Sequence, residues 1–196
     1  LYHPIVEDER GSYIFNSKDL CMIEHIPDLI QAGISSLKIE GRMKGIYYLA
    51  SVLKTYRNAI DSYISSPHNY KTNPNWFKEL CQVFNREYCT GFYFGYPDEA
   101  SQNYNNSHIG QIHAFIGKIT DKTQEQRYNL EIKNKLLLTD TIEILSPKEN
   151  SGPVKILEMT DIQGNTVHTA QPNTTALLRI EGNFNINDII RKVYED

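Results

Sequence analysis

The chain changes character at His108. Before it, apolar residues recur at helical spacings; after it, short runs rich in Ile, Val, Leu and Thr alternate with turn residues. Runs at 108–120, 128–133, 141–145, 154–160, 166–170 and 175–180 predict six strands, and 187–194 predicts a final strand or a short helical turn. Asp, Asn, Gly or Pro separates the runs, and Gln163-Gly164-Asn165 is a tight-turn signal. So many short strands in so short a stretch must each bury one face. A small closed barrel or a sandwich achieves this, and a barrel is preferred because closure removes the strand edges.

The first half reads differently. After an irregular polar start at 1–11, residues 12–15 suit a short strand. Asn16 or Ser17 is placed to cap a helix, with Asp19 in its first turn, where the dipole favours a carboxylate. Leu20, Ile23, Ile26, Leu29 and Ile30 give that helix an apolar side running through Pro27 to a C-cap at Gly33. Residues 35–40 then predict a strand, with Leu37 and Ile39 on one side and Lys38 and Glu40 on the other. Gly41 permits a sharp exit into a long helix at 44–64, with a stripe of Ile46, Leu49, Ala50, Leu53, Tyr56, Ile60 and Tyr63. Pro74 opens another helix carrying Trp76, Phe77, Leu80, Cys81 and Phe84 at three- and four-residue spacings. The order helix, strand, helix indicates part of an α/β layer or barrel. The expected organisation is an α/β portion at 1–96, a linker at 97–107 and an all-β portion at 108–196.

Composition narrows the function. With 40% hydrophobic and 22% charged residues among 196, the chain is ordinary globular material. A net charge of −4 argues against a protein that coats nucleic acid, and no apolar run is long enough to span a membrane. Three well-separated cysteines are no disulfide framework and favour a reduced, cytoplasmic setting. The six histidines share no metal-ligand spacing. The chain opens on Leu1 rather than Met, which suggests a fragment or a processed protein.

Three polar clusters remain, all before residue 96. The first, at 16–21, holds Asn16, Lys18, Asp19 and Cys21; a thiol one turn into a helix feels the positive dipole end, which favours thiolate. A half-buried core cysteine is the alternative for Cys21. The second is Glu40, Arg42 and Lys44, with Lys38 beside them. Basic residues at a helix N-terminus oppose its dipole, so helix stability does not explain them. Either an ion pair from Glu40 closes the turn, or the group holds an anionic substrate at the end of a strand. The third gathers Arg57, Asn85, Arg86 and Tyr93, where guanidinium forks suit carboxylate or phosphate and aromatic rings suit stacking.

The segments Tyr13-Ile14-Phe15-Asn16-Ser17-Lys18-Asp19-Leu20-Cys21, Leu37-Lys38-Ile39-Glu40-Gly41-Arg42-Met43-Lys44 and Thr90-Gly91-Phe92-Tyr93-Phe94-Gly95, in that order, resemble the C-terminal half of peptidase family U32. That family comprises collagenase-like proteases and bacterial tRNA hydroxylation proteins. The resemblance implies the last βα units of a TIM-like barrel followed by a small C-terminal β-barrel. It also implies formation of 5-hydroxyuridine at the tRNA wobble position with a requirement for prephenate. Glu40, Arg42 and Lys44 would then be catalytic. Asn16, Lys18, Asp19, Lys38, Arg57, Asn85, Arg86 and Tyr93 would bind tRNA or a small dicarboxylate, with no DNA or membrane partner. Related members hold a [4Fe–4S] cluster through four cysteines, and Cys21 is the implied ligand here, its companions lying outside this chain. A collagenase-like peptidase and a non-catalytic RNA- or protein-binding module are the competing expectations. The fragment is not expected to act alone.

Overall fold

A computed structural model describes residues 5–8, 11–14, 16–83, 86–95, 102–103, 113–123, 126–147 and 151–193. The chain divides into two compact units, one comprising Leu1–Ile39 and Thr55–Gly110, the other Glu40–Lys54 and Gln111–Asp196. No helix among the described residues is long and apolar enough to cross a membrane.

The second unit contains the all-β portion. Its strands are β7 (His113–Lys122), β8 (Arg127–Ile132), β9 (Leu136–Leu137), β10 (Thr141–Leu145), β11 (Val154–Thr160), β12 (Thr169–Ala170), β13 (Thr175–Ile180) and β14 (Ile189–Val193). Six of them close a barrel in the order β10-β11-β13-β8-β7-β14, every pairing antiparallel. Burial alternates along β8 and β13, so one face of each strand fills the interior and register is fixed by that pattern. Ile119, Tyr128, Leu130, Ile142, Met159 and Leu178 lie fully buried there. The Tyr128 hydroxyl is satisfied inside, donating to the Gly182 carbonyl at 2.8 Å and accepting from the Phe184 N–H at 3.2 Å. Gly117 permits the close approach of β7 to β8, since a Cβ there would run into the Glu131 carbonyl.

Closure is the expected architecture, but one strand differs from expectation. The run at 166–170 does not join the barrel; β12 forms a separate two-stranded sheet with β9, and Thr166 makes a single bridge to Thr160. The sixth barrel strand is β14, at the position expected to be a strand or helical turn. The Asp161 carboxylate accepts from the backbone N–H groups of Gln163 and Asn165, both at 2.9 Å, which folds the chain sharply back.

The first unit begins with an antiparallel pair of β1 (Ile5–Asp8), where an irregular start was expected, and β2 (Gly11–Ile14), close to the short strand expected at 12–15. It continues with β3 (Asn16–Ser17), β4 (Asp19–Leu20) and α1 (Ile26–Gln31). A 3-10 turn, Ile23–His25, precedes α1. The helix expected from residue 18 therefore starts late, with Pro27 in its first turn. Proline has no N–H for an upstream carbonyl, so a helix begins near it rather than running through it. The helix α2 (Ile46–Ser65) crosses from one unit's residues to the other's, and α3 (Pro74–Cys81) is capped by Asn73, whose side chain accepts from the Asn75 N–H at 2.9 Å. The short strands β5 (Tyr88–Cys89) and β6 (Gln102–Asn103) complete the set; β6 pairs with β3, inside the expected linker.

Two expectations in this region are corrected. Residues 35–40 do not form a strand, although Leu37 and Ile39 are half-buried between exposed Lys38 and Glu40, the alternation the sequence carries. An extended segment becomes a strand only beside a hydrogen-bonding neighbour, and none pairs with it among the described residues. In α2 the buried positions are Tyr47, Ser51, Val52, Thr55 and Ala59, while Ile46, Leu53 and Ile64 of the apolar surface are exposed. Hydrophobic spacing located the helix but not the face it buries.

Candidate functional site

The first polar cluster is built on a parallel pairing. β4 and β5 run side by side with Asp19 opposite Tyr88 and Leu20 opposite Cys89. Backbone bonds from the Asp19 N–H to the Glu87 carbonyl (2.8 Å) and from the Cys21 N–H to the Cys89 carbonyl (2.9 Å) make the ladder. The adjacent charges at 18–19 and 86–87, where the two strands begin, then meet crosswise. The Arg86 guanidinium donates to Asp19 Oδ1 through Nε at 2.8 Å and Nη2 at 2.6 Å, and the Arg86 backbone N–H donates to Oδ2 at 3.1 Å. Lys18 Nζ lies 3.0 Å from Glu87 Oε2.

Asp19 is thus not in a helical first turn; its carboxylate is engaged by Arg86. Sequence reasoning placed Lys18, Asp19 and Arg86 at a site but missed Glu87. The signal was present, because Lys18-Asp19 and Arg86-Glu87 are complementary dipeptides that a parallel pairing brings into register. Asn85 lies outside the described residues, as does Phe84 of the expected α3 face, and nothing describes the side chains of Asn16 and Ser17.

Cys21 follows directly. It is buried, and the Tyr56 hydroxyl donates toward its Sγ at 3.7 Å while accepting from the Met22 N–H at 2.9 Å. Burial pushes the Cys21 thiol up from its ordinary pKa, outweighing the hydrogen bonds from Ile23 and Tyr56 that favour thiolate. The expected helix-dipole activation is therefore corrected: Cys21 lies ahead of the 3-10 turn, outside any α-helix, and its side chain is buried. Burial also raises the pKa of Cys81, with the nearby Cys21 adding to it. No group of three or more His, Cys, Asp or Glu among the described residues is arranged to hold a metal ion. The described residues thus supply no complete ligand set for an iron–sulfur cluster, which needs several thiolates.

Glu40, Arg42 and Lys44 belong to the second unit. Glu40 Oε1 accepts the Arg42 backbone N–H at 2.9 Å, so the carboxylate closes the turn onto the backbone. The Lys44 N–H donates to the Gly41 carbonyl at 2.9 Å, and its ammonium sits 4.9 Å from the centre of the Tyr48 ring. The Arg42 side chain is exposed and has no partner among the described residues. The guanidinium fork is therefore open to a carboxylate or phosphate. In the first unit Lys38 is likewise exposed, whereas Arg57 pairs with Asp61 at 2.6 Å along α2. Arg57 and Arg86 so engage different carboxylates and do not share one anion. The Tyr93 ring is exposed with Phe92, and Phe94 meets His25 at 4.4 Å between ring centres.

Comparison with known proteins gives the family. Residues 2–103 match peptidase family U32 and residues 111–191 match the peptidase family U32 C-terminal domain. The chain belongs to peptidase family U32. It is 33% identical over 165 residues to tRNA hydroxylation protein P1 of Bacillus subtilis, covering 84% of this chain and 39% of that protein. Against tRNA hydroxylation protein P of Haemophilus influenzae it is 35% identical over 166 residues, covering 84% and 35%. A protein named collagenase from Porphyromonas gingivalis is 35% identical over 88 residues, 45% of this chain and 24% of that one. The chain thus spans well under half the length of these relatives. Among solved structures, the C-terminal domain of a Geobacillus thermoleovorans protein described as a U32 peptidase aligns with a TM-score of 0.39 at 19% identity, covering 41% of this chain and 92% of that one.

Proposed function

We propose that this chain is the C-terminal portion of a tRNA-modifying U32 protein that forms 5-hydroxyuridine at the wobble position, with prephenate as co-substrate. The observation that carries the reading is identity of 33–35% across 84% of the chain to relatives named for tRNA hydroxylation. In this reading the α/β portion completes the C-terminal side of a TIM-like barrel in the whole protein, which works in the cytoplasm. The open Arg42 guanidinium supports it, because prephenate carries two carboxylates and a planar fork binds a carboxylate through two hydrogen bonds. Glu40 fixes the turn that presents Arg42, and Lys44 adds positive charge beside it. The Asp19–Arg86 pair pins the strand ends rather than touching substrate. An iron–sulfur cluster in the whole protein would take Cys21 as one ligand among others.

The test is Arg42→Ala in the whole protein. Wobble-uridine hydroxylation, read by mass spectrometry of cellular tRNA, is expected to disappear while the melting temperature stays unchanged. Normal hydroxylation in cells carrying only that variant would sink the assignment.

A peptidase is the second reading, favoured by the collagenase relatives. Degradation of denatured collagen by the purified whole protein, together with unchanged wobble uridines in a deletion strain, would favour it over the first.

A further inference from the structure

A cleft of about 660 Å³ opens on the second unit, lined by the start of β7, the loops flanking β9, the end of β14 and Tyr47 from the first turn of α2. It involves none of the candidate residues above, and its volume lies in the range that accommodates small organic ligands.

Its walls are of three kinds. Phe115 is half-buried and lies parallel to Tyr47, ring centres 6.0 Å apart with 9° between planes. That aromatic wall is anchored from behind. Buried Arg191 donates to the Tyr47 hydroxyl at 3.4 Å and to Glu143 Oε2 at 2.8 Å. Asp140 provides the second kind. Its Oδ2 accepts the Leu137 N–H at 2.8 Å and its Oδ1 lies 2.6 Å from Lys192 Nζ, so a largely buried carboxylate is held in one orientation. The third kind is cationic. Lys135 is exposed and pairs with no carboxylate among the described residues, so the two lysines exceed Asp140 by one positive charge. Asn134 fixes the loop that carries Lys135, its side-chain amide donating to the Phe115 carbonyl at 2.7 Å.

A flat hydrocarbon face, a fixed carboxylate and surplus ammonium charge match the three parts of a nucleotide. Rings stack on aromatic walls, ribose hydroxyls donate to carboxylates, and phosphates pair with lysines. A simple dicarboxylate would use the lysines alone and leave the aromatic wall and the Asp140 acceptor unused. We propose that this cleft binds a phosphate-bearing nucleotide, its ring against Phe115, its ribose hydroxyls toward Asp140 and its phosphate on Lys135 and Lys192. That the nucleotide belongs to tRNA rests on the function proposed above; a free mononucleotide offers the same chemistry, and the experiment separates the two.

The full chain is titrated with uridine 5′-monophosphate, with inorganic phosphate and with an unmodified tRNA transcript, following the backbone amide signals of Asn134 and Lys135. Both nucleotide probes are expected to shift those signals, with phosphate alone binding about tenfold more weakly. Lys135→Glu should weaken the nucleotide probes by about tenfold with an unchanged melting temperature, and Lys135→Ala should lower the salt dependence of tRNA binding by about one ion. Binding of the mononucleotide but not tRNA assigns the cleft to a free nucleotide. Undiminished tRNA and mononucleotide binding by Lys135→Glu would overturn the cleft as their site and leave the tRNA reading standing. If the wild-type chain binds neither nucleotide probe the cleft proposal fails, whereas the function proposal is decided separately by the wobble-uridine measurement.

Discussion

Cys21 illustrates how a single side chain is governed by its surroundings. Its sulfur lies 3.7 Å from the Tyr56 hydroxyl, and burial favours the neutral thiol. The thiolate is the nucleophile, so alkylation at neutral pH should be slower than for a free thiol and should accelerate only at alkaline pH. Timed iodoacetamide labelling read by peptide mass spectrometry checks this. The stability consequence has a definite sign. The folded pKa is raised, so the unfolded chain loses its proton first, and the contribution of Cys21 to stability falls as pH rises above about 8.5. Arg42 is the contrasting case. Its side chain is exposed and has no partner among the described residues, so it contributes little to stability, and Arg42→Ala should change the unfolding free energy by less than about 0.5 kcal/mol. Urea unfolding of the variant gives that value, so lost hydroxylation would report on substrate and not on fold.

Among the elements, β14 carries the most consequence. It closes the barrel between β10 and β7, and it sets buried Arg191 opposite Glu143. The Arg191 side chain is 3% exposed and that of Glu143 is 16% exposed, so removing one charge strands the other in a poorly solvated place. Arg191→Ala should cost about 3–5 kcal/mol in urea unfolding, and the paired change Arg191→Met with Glu143→Leu should cost far less. The β4–β5 pairing works by a milder version of the same logic, its two ion pairs being partly solvated.

For the whole chain, the division into units does not follow the sequence boundary at His108. Residues 40–54 group with the barrel, and Tyr47 there both faces Phe115 and meets Arg191. A polypeptide of residues 111–196 alone would expose that surface and leave Arg191 short of one partner. Its melting temperature should fall below that of the barrel transition in the full chain, by about 4–8 °C for each kcal/mol lost. Calorimetry of the two polypeptides checks it.

The sequence by itself favoured a closed β-barrel over a sandwich, because many short strands that each bury one face leave closure as the economical way to cover every edge. Three of the barrel strands fall where the runs at 141–145, 154–160 and 175–180 place them. It also singled out Lys18, Asp19 and Arg86, though not Glu87, as candidate binding residues. Only the tertiary structure decided what those charges meet, since a partner 67 residues away is chosen by strand pairing and not by local pattern. The same holds for residues 35–40, which carry a strand's alternation without a neighbour to bond, and for α2, whose buried side depends on what packs against it. The cleft beside Phe115 was illegible for that reason too: its lining comes from four separated stretches that barrel closure and α2 bring together.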